Sequence, residues 1–419
     1  MGEYHVQGGN RLAGSLRIGG AKNAVLPILA ATVLNGGKSV VHNCPLIADT
    51  FVSIKMLEAI GCKVTLDGST VIVDSAPAFL NEAPEGLAKE MRSSVIFLGG
   101  MLGRFGKATI SYPGGCNLGL RPIDLHKKAF RALGAKVTEE HGFITCKAKR
   151  LKGAAINLDF PSVGATENIM LAAVLAEGVT VITNAAREPE IADLAEFLNG
   201  MGADVRGAGT GKVVITGVGR LHDVGYRVMP DRIVAGTYLV AAAITGGEIE
   251  LKDVVTEHLE PVLPKLEEMG CEVKKTPDTV KLTAPEKLKP IAQMWTLPHP
   301  GFPTDMQPQM MALLTLAAGT SVVIETVFES RTKHIPELIR MGADIILSPD
   351  GRTSVIKGVK RLEGATVEAT DLRGGAALIL AGLAAEGKTV ITNSGHVRRG
   401  YEEIEKDLAA LGADIRYCE

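Results

Sequence analysis

Two glycine series with one shared period constrain this chain more than any other feature. A phrase of the form apolar-Gly-small-polar-Val/Ile occurs as Ile60-Gly61-Cys62-Lys63-Val64, Leu133-Gly134-Ala135-Lys136-Val137 and Met201-Gly202-Ala203-Asp204-Val205. It returns as Met269-Gly270-Cys271-Glu272-Val273, Met341-Gly342-Ala343-Asp344-Ile345 and Leu411-Gly412-Ala413-Asp414-Ile415. Its glycines are 73, 68, 68, 72 and 70 residues apart. A second series, Gly37, Gly106, Gly178, Gly247, Gly319 and Gly387, steps by 69, 72, 69, 72 and 68. Six units of about 70 residues therefore use nearly all of the 419-residue chain.

Each glycine closes a helical pattern and precedes a strand-like run, the place of a left-handed helix C-terminus. In the third unit the pattern predicts a helix over 164–176, a strand over 179–183, a second helix over 188–201 and a strand beginning at Lys212. The unit reads strand, helix, strand, helix, strand, strand. Its first helix is apolar nearly all round, as in Ile169-Met170-Leu171-Ala172-Ala173-Val174-Leu175, and such a helix must be buried. Its second is amphipathic, as in Tyr401-Glu402-Glu403-Ile404-Glu405-Lys406-Asp407-Leu408, and keeps one face in water. Three units per domain fit the length, with a break near Val228-Met229-Pro230-Asp231. A single long solenoid fits the same arithmetic.

A net charge of −2 and only 4% aromatic residues argue against nucleic-acid binding, which needs a basic surface or stacking platforms. The six cysteines include no CxxC pair and no Cys/His spacing suited to zinc. In a chain this long they are expected to be reduced, which points to the cytosol. The opening Met1-Gly2-Glu3-Tyr4-His5-Val6 lacks the basic and apolar regions of a signal peptide. No apolar run approaches the ~18 residues of a membrane span.

The informative charges stand at helix starts. Lys22, Arg92, Arg232, Asp305, and Asp371 with Arg373 precede or open the buried first helices. Arg121, Glu188, Arg331 and Arg399 stand at the starts of second helices. Helix N-termini attract anions, and Lys or Arg there adds charge and a bidentate fork. For Asp305 and Asp371 simple capping is a serious alternative. For Lys22, Arg92 and Arg121 it is weaker, because a cation there opposes the helix dipole. The segment Tyr112-Pro113-Gly114-Gly115-Cys116-Asn117-Leu118-Gly119-Leu120-Arg121-Pro122 reads as a mobile loop. It places Cys116 near a cation, a setting that favours thiolate. Cys62 and Cys271 take the small position of the repeat phrase and read as packing residues, and Cys44, Cys146 and Cys418 have no special context.

These residues resemble the UDP-N-acetylglucosamine 1-carboxyvinyltransferase family, the enolpyruvyl transferases that open peptidoglycan synthesis. The match spans the full length. It rests on Gly19-Gly20-Ala21-Lys22-Asn23-Ala24, Pro113-Gly114-Gly115-Cys116, Arg121-Pro122-Ile123-Asp124-Leu125-His126, Ser162-Val163-Gly164-Ala165-Thr166 and Ala186-Arg187-Glu188-Pro189-Glu190. It rests also on Pro303-Thr304-Asp305-Met306-Gln307, Asp371-Leu372-Arg373-Gly374 and Arg399-Gly400-Tyr401. The resemblance implies an α/β (α+β) fold, a two-domain inside-out α/β barrel of six βαβαββ repeats with the active site between the domains. The domains it implies are 21–229, carrying the Cys116 loop, and 1–20 joined to 230–419.

The implied reaction moves the enolpyruvyl group of phosphoenolpyruvate onto the 3′-hydroxyl of UDP-N-acetylglucosamine, with release of phosphate. By the same resemblance Cys116 is the proton donor, able to form a covalent adduct with phosphoenolpyruvate, and Asp305 is the base near the sugar hydroxyl. Lys22, Asn23, Arg121 and Arg399 hold the phosphoenolpyruvate anion, with Arg373 on its carboxylate side. Arg92, the run Arg121, Pro122, Ile123, Asp124 and Leu125, then Ser162, Val163, Asp305 and Val327 match UDP-sugar contacts. Arg331 and Asp371 complete the expected substrate-binding set. The resemblance implies no metal, no cofactor, no nucleic-acid or membrane partner, a monomer, and sensitivity to the epoxide fosfomycin. Two departures stand out: Arg398 where an acidic residue is expected, and Phe160 where some members carry Lys. The alternatives are an enolpyruvyl transferase acting on shikimate 3-phosphate, which the Pro-Gly-Gly-Cys loop argues against, and a non-catalytic anion-binding scaffold.

Overall fold

The computed structural model describes residues 2–114 and 123–419. The third repeat shows the plan. Strand Ala155–Asn157 leads into the buried helix Val163–Ala173, which crosses to the parallel strand Val179–Thr183. The outer helix Pro189–Gly200 follows, then Asp204–Arg206 and Lys212–Thr216 complete the sheet in antiparallel register. Among the described residues the plan yields six sheets, five of four strands and one of three. In the three-stranded sheet of the second repeat, the leading parallel strand is reduced to a bridge between Glu82 and Thr109.

Three repeats, the first, fourth and sixth, depart from the contiguous order read from the sequence. The leading strand of the first repeat is supplied by Val224–Arg227, parallel to Lys38–His42. That of the fourth is supplied by Ala13–Arg17, parallel to Glu248–Lys252. Each of these two repeats has a strand just before its first helix, but the two strands are exchanged, so each fills the parallel edge of the other repeat. Strand Glu3–Gln7 lies between Lys388–Thr392 and Asp414–Cys418 in the sixth sheet. Residues 20–114 and 123–229 form one compact body, and residues 2–19 with 230–419 form another. Each has its own hydrophobic core, where a solenoid would have one continuous core.

The first helices fill these cores. Val163–Ala173 and Leu372–Ala384 are buried along nearly their whole length. Close approach between first helices needs glycine. A Cβ on Gly99 would lie 2.5 Å from the Asn168 carbonyl oxygen, and one on Gly100 2.7 Å from that of Ala30. The outer helices are amphipathic: Ile404–Ala410 buries only Ile404 and Leu408. All six phrase glycines adopt φ between 91° and 100°, as a left-handed helix end requires. In the second series Gly37 and Gly247 do not, and the preceding Gly36 and Gly246 take the positive φ instead.

Candidate active site

In the body of repeats four to six, the site is built on first turns of buried helices. Asp305 lies in the single 3-10 turn Thr304–Met306, which runs directly into the helix Gln307–Leu314. Its carboxylate is gripped from two sides. Arg331 Nη2 donates to Oδ1, and Arg373 Nη2 donates to Oδ2 at 3.2 Å. Both arginine side chains are 2% exposed, against 26% for Asp305. Arg331 Nε donates to Thr304 Oγ1 at 3.1 Å, and that hydroxyl donates to Glu325 Oε2 at 3.0 Å. The other Glu325 oxygen accepts the backbone N–H groups of Val327 and Phe328 at 2.8 and 3.0 Å, which fixes the Val327 segment. The Phe328 ring lies 5.0 Å from the Arg331 guanidinium carbon.

Asp371 caps the helix Leu372–Ala384, accepting the N–H groups of Arg373 and Gly374 at 3.0 Å each, and lies 4.0 Å from Arg331 Nη1. For Asp371 the capping alternative therefore holds alongside the charge contact. Asp305 stands inside its turn, past the cap position Pro303, and its carboxylate binds Arg331 and Arg373. Two guanidiniums and two carboxylates thus interleave in a buried setting, where each charge has a counter-charge. Nε and Nη1 of Arg373 are buried and make no hydrogen bond among the described residues. A buried guanidinium with two open donors is suited to a bound anion. Burial pulls the Arg373 guanidinium down, but Tyr401, Asp305 and Asp231 outweigh it, so its affinity for the proton is raised.

His334 was absent from the expected site. It is fully buried, its Nδ1 donates to the Arg331 carbonyl oxygen at 3.1 Å, and burial pushes it down to about 4, so it is neutral at physiological pH.

In the body of repeats one to three, Lys22 opens the helix Lys22–Ala31, with Asn23 next to it. Its Nζ lies 3.1 Å from Asp49 Oδ2, in the first turn of Ala48–Ala59. The cation that opposed the helix dipole thus also neutralises a buried carboxylate. Arg92 opens the 3-10 helix Arg92–Ile96, and the buried helix itself starts only at Phe97. Ser162 caps the Val163–Ala173 helix, its hydroxyl accepting the Ala165 N–H at 3.3 Å. Ile123 is buried, Leu125 half-buried and Asp124 exposed at the start of Asp124–Ala132. Cys116, Arg121 and Pro122 lie outside the described residues.

Sequence reasoning also missed the link that ties these segments together. Asn168 Nδ2 lies 2.8 Å from His126 Nδ1 and donates to the Val95 carbonyl oxygen at 3.0 Å, while Asn168 Oδ1 accepts the Gly99 N–H at 2.7 Å. A Cβ on Gly164 would lie 3.3 Å from the His126 ring, just as one on Gly374 would lie 3.0 Å from His334 Cβ. The signal was present: His126 and His334 each stand eight residues before a phrase glycine, Gly134 and Gly342. One expectation needs correction. Arg331 and Arg399 do not start the outer helices, which begin at Ile335 and Ile404. Arg399 instead ends the 3-10 turn Ser394–Arg399.

Four other cysteines are poor nucleophiles. Burial pushes the thiols of Cys44 and Cys146 up to about 12, and those of Cys62 and Cys271 up to about 11. Among the described residues no group of His, Cys, Asp and Glu could hold a metal ion, and no helix is long and apolar enough to cross a membrane.

Buried acids also give a stability prediction. Burial, then Glu190 and Glu188, pushes Glu167 up to about 8, and burial pushes Asp193 up to about 7. The folded protein therefore keeps a proton at Glu167 that the unfolded chain has released above its ordinary value of 4.5. That contribution is complete below this value and is lost as pH rises through about 8. A melting series from acid to mildly alkaline pH is expected to fall, by up to about 1.4 kcal/mol per pH unit per retained proton. Glu167→Gln flattens part of that fall and raises the melting temperature at alkaline pH. An unchanged profile in the variant would remove Glu167 as its source.

A curated relative from Caldanaerobacter subterraneus subsp. tengcongensis, named UDP-N-acetylglucosamine 1-carboxyvinyltransferase 2, is 54% identical over 99% of both chains. A relative from Halothermothrix orenii, named UDP-N-acetylglucosamine 1-carboxyvinyltransferase, is 51% identical over 99% of both. This chain belongs to the UDP-N-acetylglucosamine 1-carboxyvinyltransferase family. That family falls within the wider one described as EPSP synthase (3-phosphoshikimate 1-carboxyvinyltransferase), which matches residues 6–408. Among solved structures, the enolpyruvyl transferase NikO from Streptomyces tendae superposes with a TM-score of 0.90 at 27% identity, covering 100% of this chain and 99% of that one. An EPSP synthase from Acinetobacter baumannii, at 21% identity, TM-score 0.75 and full coverage of both chains, shares the fold. The chain therefore has the fold of enolpyruvyl transferases.

Within this carboxyvinyltransferase family pattern, Arg398 is the charge out of place. Its Nη2 lies 3.1 Å from Glu405 Oε1, and its guanidinium carbon is 3.8 Å from the Tyr417 ring centroid. Arg398 is thus held by an acid and an aromatic ring of its own body. Phe160, the other departure, is 44% exposed and stands two residues before the helix cap Ser162.

Proposed function

We propose that this enzyme transfers the enolpyruvyl group of phosphoenolpyruvate to the 3′-hydroxyl of UDP-N-acetylglucosamine, the opening step of peptidoglycan synthesis in a bacterial cytoplasm. The acceptor rests on relatives about half identical over the whole chain. The chemistry rests on one observation above the others: a single carboxylate, Asp305, set between two buried guanidiniums, one of which keeps two open donors.

The reaction has a proton to deliver and a proton to remove. The sugar oxygen forms a bond to C2 of phosphoenolpyruvate as its proton passes to Asp305. Cys116 delivers a proton to C3, which leaves a tetrahedral ketal. In the second stage C3 returns a proton to the Cys116 thiolate, the C2–O bond of the phosphate ester breaks, and phosphate departs with the electron pair and takes up the proton held by Asp305, leaving the enol ether. Positioned acids and bases contribute roughly 10²–10⁴-fold each. Lys22, Asn23, Arg121 and Arg399 bind the phosphoenolpyruvate anion, and the open donors of Arg373 take its carboxylate. Charge-assisted bonds of this kind contribute about 1.5–3 kcal/mol each. Arg92, residues 121–125, Ser162, Val163 and Val327 bind the UDP-sugar. The reaction needs no bound cofactor, because both carbon fragments arrive as substrates.

Fosfomycin tests the cysteine assignment. The expected result is loss of phosphate release and one covalent adduct on Cys116, located by peptide mass analysis. Cys116→Asp is expected to keep measurable turnover and to resist the epoxide, since a carboxylic acid still donates a proton. An adduct on another cysteine, or a folded but inert Cys116→Asp, would refute the assignment.

A further inference from the structure

Tyr401 is buried among the N-terminal halves of three central helices. Tyr401 is 2% exposed, and its partners Thr237 and Gln309 are 0% exposed. Thr237 belongs to the helix Arg232–Ile244, Gln309 to Gln307–Leu314 and Arg373 to Leu372–Ala384. The Tyr401 and Thr237 hydroxyl oxygens are 2.8 Å apart. Thr237 gives its only hydroxyl proton to the Ile233 carbonyl oxygen at 2.7 Å, so Tyr401 must be the donor in that pair. Gln309 Nε2 donates to Thr237 Oγ1 at 3.1 Å and to the Asp305 backbone oxygen at 3.0 Å, and reaches the Tyr401 oxygen at 3.4 Å. The Arg373 guanidinium carbon lies 5.5 Å from the centroid of the Tyr401 ring.

One phenol therefore touches both supports of Asp305. Through Thr237 and Gln309 it fixes the backbone that carries the carboxylate, and through its ring it backs the arginine that binds Oδ2. Its chain position adds a third link, because Tyr401 follows Arg399 by two residues. Gly400 makes room for that link: a Cβ there would lie 2.7 Å from Leu372.

We propose that Tyr401 is a positioning residue for enolpyruvyl transfer, setting the Asp305 carboxylate in its reactive geometry through Thr237 and Gln309, with its ring behind the Arg373 that holds Oδ2. The inference rests on the proposed function and deepens it. Tyr401 touches neither substrate in this account. Its effect passes through Asp305, whose charged neighbours among the described residues include Arg331 and Arg373, with Asp371 and Glu325 one contact behind.

Tyr401→Phe keeps the ring and removes the hydroxyl. The expected result is a roughly tenfold lower kcat with KM for UDP-N-acetylglucosamine within about twofold, since a misplacement of an ångström can cost up to about 10². The acid limb of the pH–rate profile moves to higher pH, because a carboxylate with a looser cationic grip takes up its proton sooner. In an Asp305→Asn background, Tyr401→Phe changes kcat by less than about twofold, because the group it acts through is gone. Thr237→Val, which keeps the shape and loses the acceptor, shifts the acid limb the same way and carries the test if Tyr401→Phe does not fold. A wild-type rate and acid limb in Tyr401→Phe, or a full tenfold loss in the Asp305→Asn background, overturns the inference while leaving the function intact. A wild-type protein that makes no enol ether overturns the function itself.

Discussion

Asp305→Asn is expected to lower kcat for enolpyruvyl transfer by about 10²–10⁴-fold, the usual loss for a positioned acid–base group. The amide keeps the shape of the carboxylate but cannot take the sugar proton. It also leaves Arg331 and Arg373 without the anion that both of them hold. The loss should appear in kcat more than in KM for phosphoenolpyruvate, because the anion-binding cations all remain. Steady-state kinetics of the folded variant decide the point. A kcat within about threefold of wild type would mean that another group takes the proton.

Arg331→Met should act mainly on stability. Removing one member of a buried ion pair leaves its partner under-compensated, at a cost of up to about 3–5 kcal/mol, and here Asp305 keeps its bond to Arg373. Asp305 keeps 26% of its side-chain surface exposed, which places this case at the low end, near ~3 kcal/mol. For a body of roughly 200 residues that is a fall in melting temperature of about 6–12 °C. The double variant with Asp305→Asn should recover part of the loss, because the under-compensated charge is then gone. Equal losses in the single and double variants would show that Arg331 stabilises through its packing on Phe328 instead.

The repeat carried much of the fold in the sequence. Gly61, Gly134, Gly202, Gly270, Gly342 and Gly412 marked six helix ends, and all six take the left-handed conformation. A short backbone requirement with one strongly favoured residue survives in sequence as a clean period. The origin of the leading strands was not legible. Val224–Arg227 and Ala13–Arg17 pair with strands remote in sequence, and parallel pairing over such distances leaves no local pattern. The charges at helix starts were legible as positions, because Asp305, Asp371 and Arg373 sit in or beside first turns. Their partners were not. The Asp49 contact of Lys22, the double grip on Asp305 and the Tyr401–Thr237–Gln309 chain depend on which helices pack together. His126 and His334 fall between these cases. Their shared repeat position was visible, but its meaning appears only beside Gly164 and Gly374.

The most direct test is the identity of the acceptor. The protein is incubated with phosphoenolpyruvate and either UDP-N-acetylglucosamine or shikimate 3-phosphate, and both released phosphate and the mass of the sugar product are measured. Phosphate release and an enol ether are expected only with the UDP-sugar, one phosphate for each product molecule. An enol ether formed only on the shikimate ester, or none on either acceptor from folded protein, would contradict the proposed transfer.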